Sequence, residues 1–144
     1  MIELLYFASQ IQCGAGGAAL TIQVDVHHNQ ELVRTMMVDD RVLVPVTSID
    51  DLTFEYSIVN NSTDCNSLKT PSELVLAPND QIPNYAGFDQ QDSVTTLLSG
   101  LNEYEELFLV ELGSTDQAST AFDMQDVIFK VDNNPNPVSL LYPD

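Results

Sequence analysis

The stretch LTFEYSI at residues 52–58 alternates apolar and polar side chains without interruption. On an extended chain, successive side chains point to opposite sides, so the apolar residues at even positions share one face. The polar residues Thr53, Glu55 and Ser57 share the other face. This period of two is typical of a half-buried strand. The stretch therefore predicts a β-strand in a sheet with one face in the core and one in water.

The same period recurs along most of the chain. Strands are predicted at residues 1–8, 18–26, 32–38, 41–46, 52–58, 73–77, 104–112 and 126–132, with 138–142 as a terminal strand or arm. Pro45 restricts its segment to an edge strand or a bulge. Residues 93–98 fit either a helical turn or a strand, and no stretch forms a convincing amphipathic helix. The pattern predicts an all-β, antiparallel β-sandwich or barrel-like fold of about eight short strands with extended termini.

The length of 144 residues is that of one domain, which we expect to span residues 1–144. The sequence NNPNP at 133–137 cannot continue a sheet, since two prolines lack a backbone donor. Residues 133–144 are therefore a candidate C-terminal arm. The first residues, MIELLYFA, lack the basic region of a signal peptide and fit a first strand better. No apolar run approaches the roughly 20 residues of a membrane-spanning helix.

The chain carries 22 acidic against 4 basic residues, a formal charge of −18. Four cations cannot supply the roughly 6–10 phosphate contacts of a typical nucleic-acid-binding face. The same acidity argues against binding to anionic membranes. The common interpretation of such acidity is solubility, and the sharper one is a face that meets a basic partner or cations.

The two cysteines, Cys13 and Cys65, do not form a C-x-x-C pair or a disulfide framework. One Cys13–Cys65 disulfide could form if the chain matures outside the cell or in a particle. The alternative, which we favour, is two small apolar side chains.

No pattern in the sequence indicates catalysis. The segment GAGGAA at 14–19 matches G-x-G-x-x-G/A, but a dinucleotide fingerprint needs a following helix, and a period-two strand follows instead. His27 and His28, the only histidines, point to opposite sides of an extended chain and are read as a polar turn. No motif pairs a nucleophile with a base. We therefore expect a protein that is not an enzyme.

An F-D-x-Q-D pattern occurs at 88–92 and again at 122–126. Carboxylate oxygens in loops between strands suit Ca²⁺, which takes 6–8 oxygen ligands. The candidate ligands are Asp89, Asp92, Asp123 and Asp126. Neither segment matches the Asp-x-Asp-x-Asp-Gly loop, and turn-forming aspartates at strand entries are the alternative. We expect no other cofactor.

The sequence leads to the hypothesis of a structural protein that decorates or cements a larger assembly, with a viral (phage) capsid as the assembly and the virion surface as its location. The expected partners are the major shell protein and further copies of the chain, with neither nucleic acid nor membrane. Contact residues are predicted in the apolar segments near both ends: Leu4, Leu5, Tyr6, Phe7, Leu140, Leu141 and Tyr142. The alternative is an extracellular, calcium-dependent β-sandwich module that recognises carbohydrate or protein.

Overall fold

The computed structural model describes residues 1–11, 19–59, 68–83, 93–118 and 124–135. It confirms the predicted all-β, sandwich-like fold, with eight strands in two antiparallel sheets and one short helix. The strands are β1 (Ile2–Ala8), β2 (Ile22–His28), β3 (Glu31–Met36), β4 (Arg41–Val44), β5 (Leu52–Ile58), β6 (Ser72–Leu76), β7 (Glu105–Glu111) and β8 (Val127–Asp132). The helix α1 is Ser93–Ser99, and a single 3₁₀ turn, Ile49–Asp51, precedes β5.

The two sheets differ in width. One has five strands in the order β4-β1-β8-β7-β6, and the other has three in the order β3-β2-β5. Alternate side chains of every strand except β6 meet between the sheets and form the main core. Aromatic rings fill the centre of this core. Phe54 of β5 packs on Phe108 and Phe129, with ring centroids 5.1 and 5.5 Å apart. Tyr6 meets Phe129 edge to face at 5.4 Å, a favourable geometry for ring quadrupoles.

A second apolar cluster covers the opposite face of the five-stranded sheet. Val94 and Leu98 of α1 pack there with Leu107, Leu109 and Ile128. Because both faces of β7 are covered, its sequence shows a continuous apolar run instead of alternation. The segment 93–98, which fits two structures in sequence, is helical: its apolar residues Val94, Leu97 and Leu98 are spaced three and four apart, which places them on one helix face.

The hairpin between β2 and β3 shows that the predicted end of the second strand, residue 26, is wrong. His27 and His28 belong to β2, where His27 pairs with Leu32 and with Thr53. The turn is made by Asn29 and Gln30, whose φ angles are 52° and 68°. Two consecutive residues with positive φ form the compact turn that matches the twist of the flanking strands.

Candidate interaction surfaces

The four edge strands of the sandwich differ in how they are protected. A sheet edge presents unpaired backbone groups, and proteins protect it with bulges, prolines, short strands or inward-pointing charges. On β3 the register shifts beside Val26, and Arg34 reaches between the sheets to donate from Nε to the Leu43 carbonyl at 2.9 Å. The strand β4 has four residues and ends before Pro45, as predicted for an edge strand. Thus the two edge strands on this side of the sandwich are protected from pairing with another chain.

The other side of the sandwich has one short and one long edge strand. The strand β6 has five residues and lies between Pro71 and Pro78. The strand β5 has seven residues, contains neither proline nor lysine, and pairs with β2 without a register shift. No bulge, proline or lysine interrupts it. Among the described residues, no strand lies along its outer edge.

The alternation of hydrogen bonds between β5 and β2 shows which backbone groups of β5 face its open edge. The Val59 N–H donates to the Thr21 carbonyl at 3.0 Å. Because hydrogen-bonded and non-bonded pairs alternate in an antiparallel ladder, the odd-numbered residues of β5 bond to β2. The backbone N–H and C=O groups of Phe54, Tyr56 and Ile58 therefore point toward the open edge.

The unequal widths of the sheets leave a ledge beside β5. Phe54 lies over Phe108 and Phe129, so β6, the outermost strand of the wider sheet, extends beyond β5. On β6, Val75 pairs with Phe108 and is 37% exposed, although it lies on the side that faces the main core. We call β5's open edge and the β6 surface beside it the β5–β6 ledge. Its inward surface carries the exposed Val75 and the Glu73 carboxylate, which accepts a hydrogen bond from the Tyr56 hydroxyl.

A cleft of about 410 Å³ continues the ledge at the end where β5 finishes. Tyr56, Ile58, Leu68 and Leu112 contribute to its walls, and the exposed Lys69 lies at its rim. The Lys69 N–H donates to the Leu112 carbonyl at 2.8 Å, which fixes the rim to the end of β7.

The outer face of the three-stranded sheet is polar and acidic, and no described element covers it. Asp25 of β2 lies directly opposite Glu55 of β5. Asp25 Oδ1 accepts hydrogen bonds from Gln23 Nε2 and Thr35 Oγ1, both at 3.0 Å. The remaining strand positions of this face are Thr53, Ser57, His27 and Leu32. We call this surface the acidic sheet face.

Three of the four basic side chains are engaged within the chain. Arg34 donates to backbone carbonyls, Arg41 Nε lies 3.3 Å from Glu3 Oε1, and Lys130 pairs with Glu105. The last two pairs lie on the outer face of the five-stranded sheet. Burial raises the pKa of Glu3 above its usual value, and the Arg41 guanidinium partly offsets this rise. The fourth lysine or arginine, Lys69, is at the cleft rim, so neither residue type lies on the acidic sheet face.

Two buried carboxylates organise the turn that follows β7. Asp126 Oδ2 accepts from the N–H groups of Leu112 and Gly113 at 2.7 and 3.0 Å. Glu111 Oε2 accepts from Gly113 and Ser114 at 2.7 and 3.0 Å. A side chain at Gly113 would place its Cβ 3.3 Å from Glu111 Oε2. These acids act as acceptors for backbone donors that would otherwise lack partners.

Of the four predicted calcium ligands, the structure describes only Asp126. Asp89, Asp92 and Asp123 lie outside the described residues, so the calcium site remains a hypothesis beside the alternative of turn-forming aspartates. Within the described part of the chain, no group of three or more His, Cys, Asp or Glu side chains is arranged to hold a metal ion. Asp126 is 4% exposed and is directed at backbone N–H groups, as expected of a turn-forming aspartate.

The predicted contact residues near the N-terminus all lie on β1, and two of the four are inside the sandwich. Leu4 and Tyr6 are fully buried in the main core, because β1 is an inner strand between β4 and β8. Leu5 is half-buried on the opposite face, and Phe7 packs against the second cluster. Their side chains are therefore packed within this chain. Leu140, Leu141 and Tyr142 lie outside the described residues, as do Cys13 and Cys65.

The remaining sequence motifs can be placed as follows. The glycine-rich segment at 14–19 lies mostly outside the described residues, and the strand β2 follows it, as predicted. Among the described helices, none has the length and apolar character needed to cross a membrane.

Sequence reasoning missed both candidate surfaces because they depend on pairing between distant segments. The alternation at 52–58 identifies a strand but does not reveal that it is an edge. The unequal sheet widths leave no local signal in the sequence.

Comparison with models of known protein families, with curated proteins and with solved structures gives no match for this chain.

Proposed function

We propose that this chain is a structural protein that acts by binding, and that it decorates or cements a larger assembly, with a viral capsid as the assembly we favour. The observation that carries the proposal is the acidic sheet face. No described element covers this surface, on which Asp25 and Glu55 lie side by side with neither lysine nor arginine.

The arrangement of these two acids is unfavourable in the isolated chain. Like charges directly opposite each other across two strands destabilise a sheet. Neutral donors from Gln23 and Thr35 stabilise the Asp25 carboxylate but bring no positive charge. A basic surface placed against this face would remove the repulsion. The arrangement thus contributes more to binding a cationic partner than to folding.

The chemistry of the face defines its partner. A basic or mixed-charge protein surface, such as the exterior of a particle shell, can pair with the hydroxyl, amide and carboxylate groups of this face. Since the chain is strongly anionic overall, electrostatic attraction would also steer its approach to such a surface. The virion surface is the location that follows from this proposal.

Gradient sedimentation of particles from the natural source tests the proposal. We expect the chain to sediment with particles, in fixed proportion to a shell protein. It should be released as salt rises from about 0.15 M to about 1 M, where the Debye length falls from about 8 Å to about 3 Å. Purified Asp25→Asn/Glu55→Gln protein should fail to rebind stripped particles.

The matched control is Asp50→Asn/Asp51→Asn, which removes the same charge from the exposed 3₁₀ turn. This variant should rebind like the unaltered chain. A chain that never sediments with a particle would overturn the proposal. Equal loss of binding in both variants would show that net charge, and not the acidic sheet face, is responsible.

A further inference from the structure

We propose that the β5–β6 ledge binds the C-terminal segment 138–142 of a second copy of this chain as an added, antiparallel β-strand. This inference concerns contacts between copies and is independent of the particle-binding role of the acidic sheet face.

The first argument is the state of the β5 edge. Phe54, Tyr56 and Ile58 direct their backbone donors and acceptors toward a position that no described strand occupies. Such an edge is a template for pairing with another chain, and strand addition is a common mode of peptide recognition. The other three edges of the sandwich carry a bulge with an arginine bonded to the neighbouring strand of the other sheet, or are short and flanked by proline.

The second argument is the complementarity between the ledge and the segment. A strand added beside β5 would place alternate side chains over β6, where Val75 is exposed. The segment VSLLY at 138–142 has apolar residues at each alternate position: Val138, Leu140 and Tyr142. It contains no charged residue, so it adds no repulsion beside Glu55 and Glu73.

The third argument, strand direction, favours a second copy over the chain's own segment. Asp132, the last residue of β8, pairs with Glu105. Along β5, Phe54 lies over Phe108, and Tyr56 reaches Glu73, which pairs with Val110. Hence β5 begins near the end of the sandwich at which the chain leaves β8. A strand that started at that end and continued along β5 would run parallel to it.

A segment from another copy can approach from the opposite end and pair antiparallel, which is slightly more stable per residue. Two copies related by a two-fold axis could each insert a segment beside the other's β5, which gives a closed, reciprocal dimer.

Hydrogen exchange measured by NMR, together with sedimentation, tests the inference on the full chain. We expect a dimer in which the Phe54, Tyr56 and Ile58 amides exchange about tenfold more slowly at high than at low protein concentration. The Thr53, Glu55 and Ser57 amides already bond to β2 and serve as internal references.

The diagnostic variants are Leu140→Asp and its control Leu141→Asp. Leu140 would face the ledge, so its replacement should weaken the dimer by about 10–100-fold, the equivalent of one buried side chain. Leu141 would face away, and its replacement should have little effect. Deletion of residues 138–144 should give a monomer with nearly the same melting temperature and fast-exchanging edge amides.

Three results would overturn the inference: a full-length chain that is monomeric with fast-exchanging edge amides, a monomer in which these amides are protected at all concentrations, or a dimer that Leu140→Asp does not weaken. The second would show that the chain's own segment covers β5. Rebinding of Leu140→Asp to stripped particles is measured separately, so failure of the two proposals can be distinguished.

Discussion

The phenolic hydroxyl of Tyr56 on β5 donates a 2.6 Å hydrogen bond to Glu73 Oε2 on β6. It links the edge strand of one sheet to the edge strand of the other across the open side of the sandwich. Burial, and then the nearby Glu73 carboxylate, raise the pKa of Tyr56 well above its usual value. The phenol therefore remains protonated, and the link persists through the neutral and mildly alkaline range.

Tyr56→Phe should remove this link. Hydrogen bonds to charged groups contribute about 1.5–3 kcal/mol, and solvent near this one should lower its value to about 1–2 kcal/mol. Urea denaturation measures the change in the free energy of unfolding. Tyr104→Phe is the control, since the Tyr104 side chain lies on the exposed surface. Equal stability of Tyr56→Phe and the unaltered chain would contradict the interpretation.

Tyr6→Phe tests a buried connection between the sheets. The Tyr6 hydroxyl on β1 donates to the Ile22 carbonyl on β2 at 3.0 Å. Loss of this donor leaves a buried acceptor, so the free energy of unfolding should fall by about 1–3 kcal/mol. Denaturant unfolding near neutral pH gives this value. A change well below that range would mean that the carbonyl finds another donor.

The raised pKa of Tyr6 predicts that the stability of the fold decreases at alkaline pH. Burial raises the pKa of Tyr6 to about 12 from its usual 10. The folded state therefore holds the proton more tightly, and its contribution is complete below pH 10 and lost as pH rises toward 12. Stability measured across that interval should fall less steeply for Tyr6→Phe than for the unaltered chain. If stability fell equally steeply with pH in both proteins, the raised pKa of Tyr6 would be contradicted.

Asp126→Ala should be strongly destabilising. It removes the acceptor for the Leu112 and Gly113 N–H groups at a buried turn, which should cost about 2–4 kcal/mol. In the control, Asp116→Ala, the lost acceptor serves the exposed Ala118 N–H, and the cost should stay below about 1 kcal/mol. Thermal melts compare the two variants. Equal shifts would show that burial of Asp126 is not decisive.

Calcium should not change the melting temperature of the chain. A ligand at 100 times its dissociation constant stabilises the folded state by about 2.7 kcal/mol. A melt with EDTA and one with excess Ca²⁺ should therefore coincide if the chain binds as proposed. A clear rise with Ca²⁺ would instead favour the alternative of a calcium-dependent extracellular module.

Local alternation was sufficient to predict most strands. The bounds of β5 agree with the period-two pattern at 52–58, because each apolar residue there packs against the core or its margin. The position of β4 at an edge followed from Pro45, since proline cannot donate within a ladder. The helix α1 could not be predicted, because seven residues show too little of the 3.6-residue period to separate it from a strand.

The candidate surfaces could not be read from local patterns. The exposure of Leu32 depends on the register shift beside Val26, which alternation along β3 does not reveal. The burial of Leu4 and Tyr6 depends on β1 lying between β4 and β8, two strands that are distant from each other in sequence. The opposition of Asp25 and Glu55 is likewise a consequence of strand pairing.

Carboxyl footprinting tests the central claim, docking through the acidic sheet face, most directly. Carbodiimide coupling of a labelled amine would be compared between the free chain and the chain bound to its particle. The account predicts that Asp25 and Glu55 lose reactivity on binding, whereas the exposed carboxylates of Asp50, Asp51 and Asp116 retain it. Unchanged labelling of Asp25 and Glu55 in the bound chain would contradict the account.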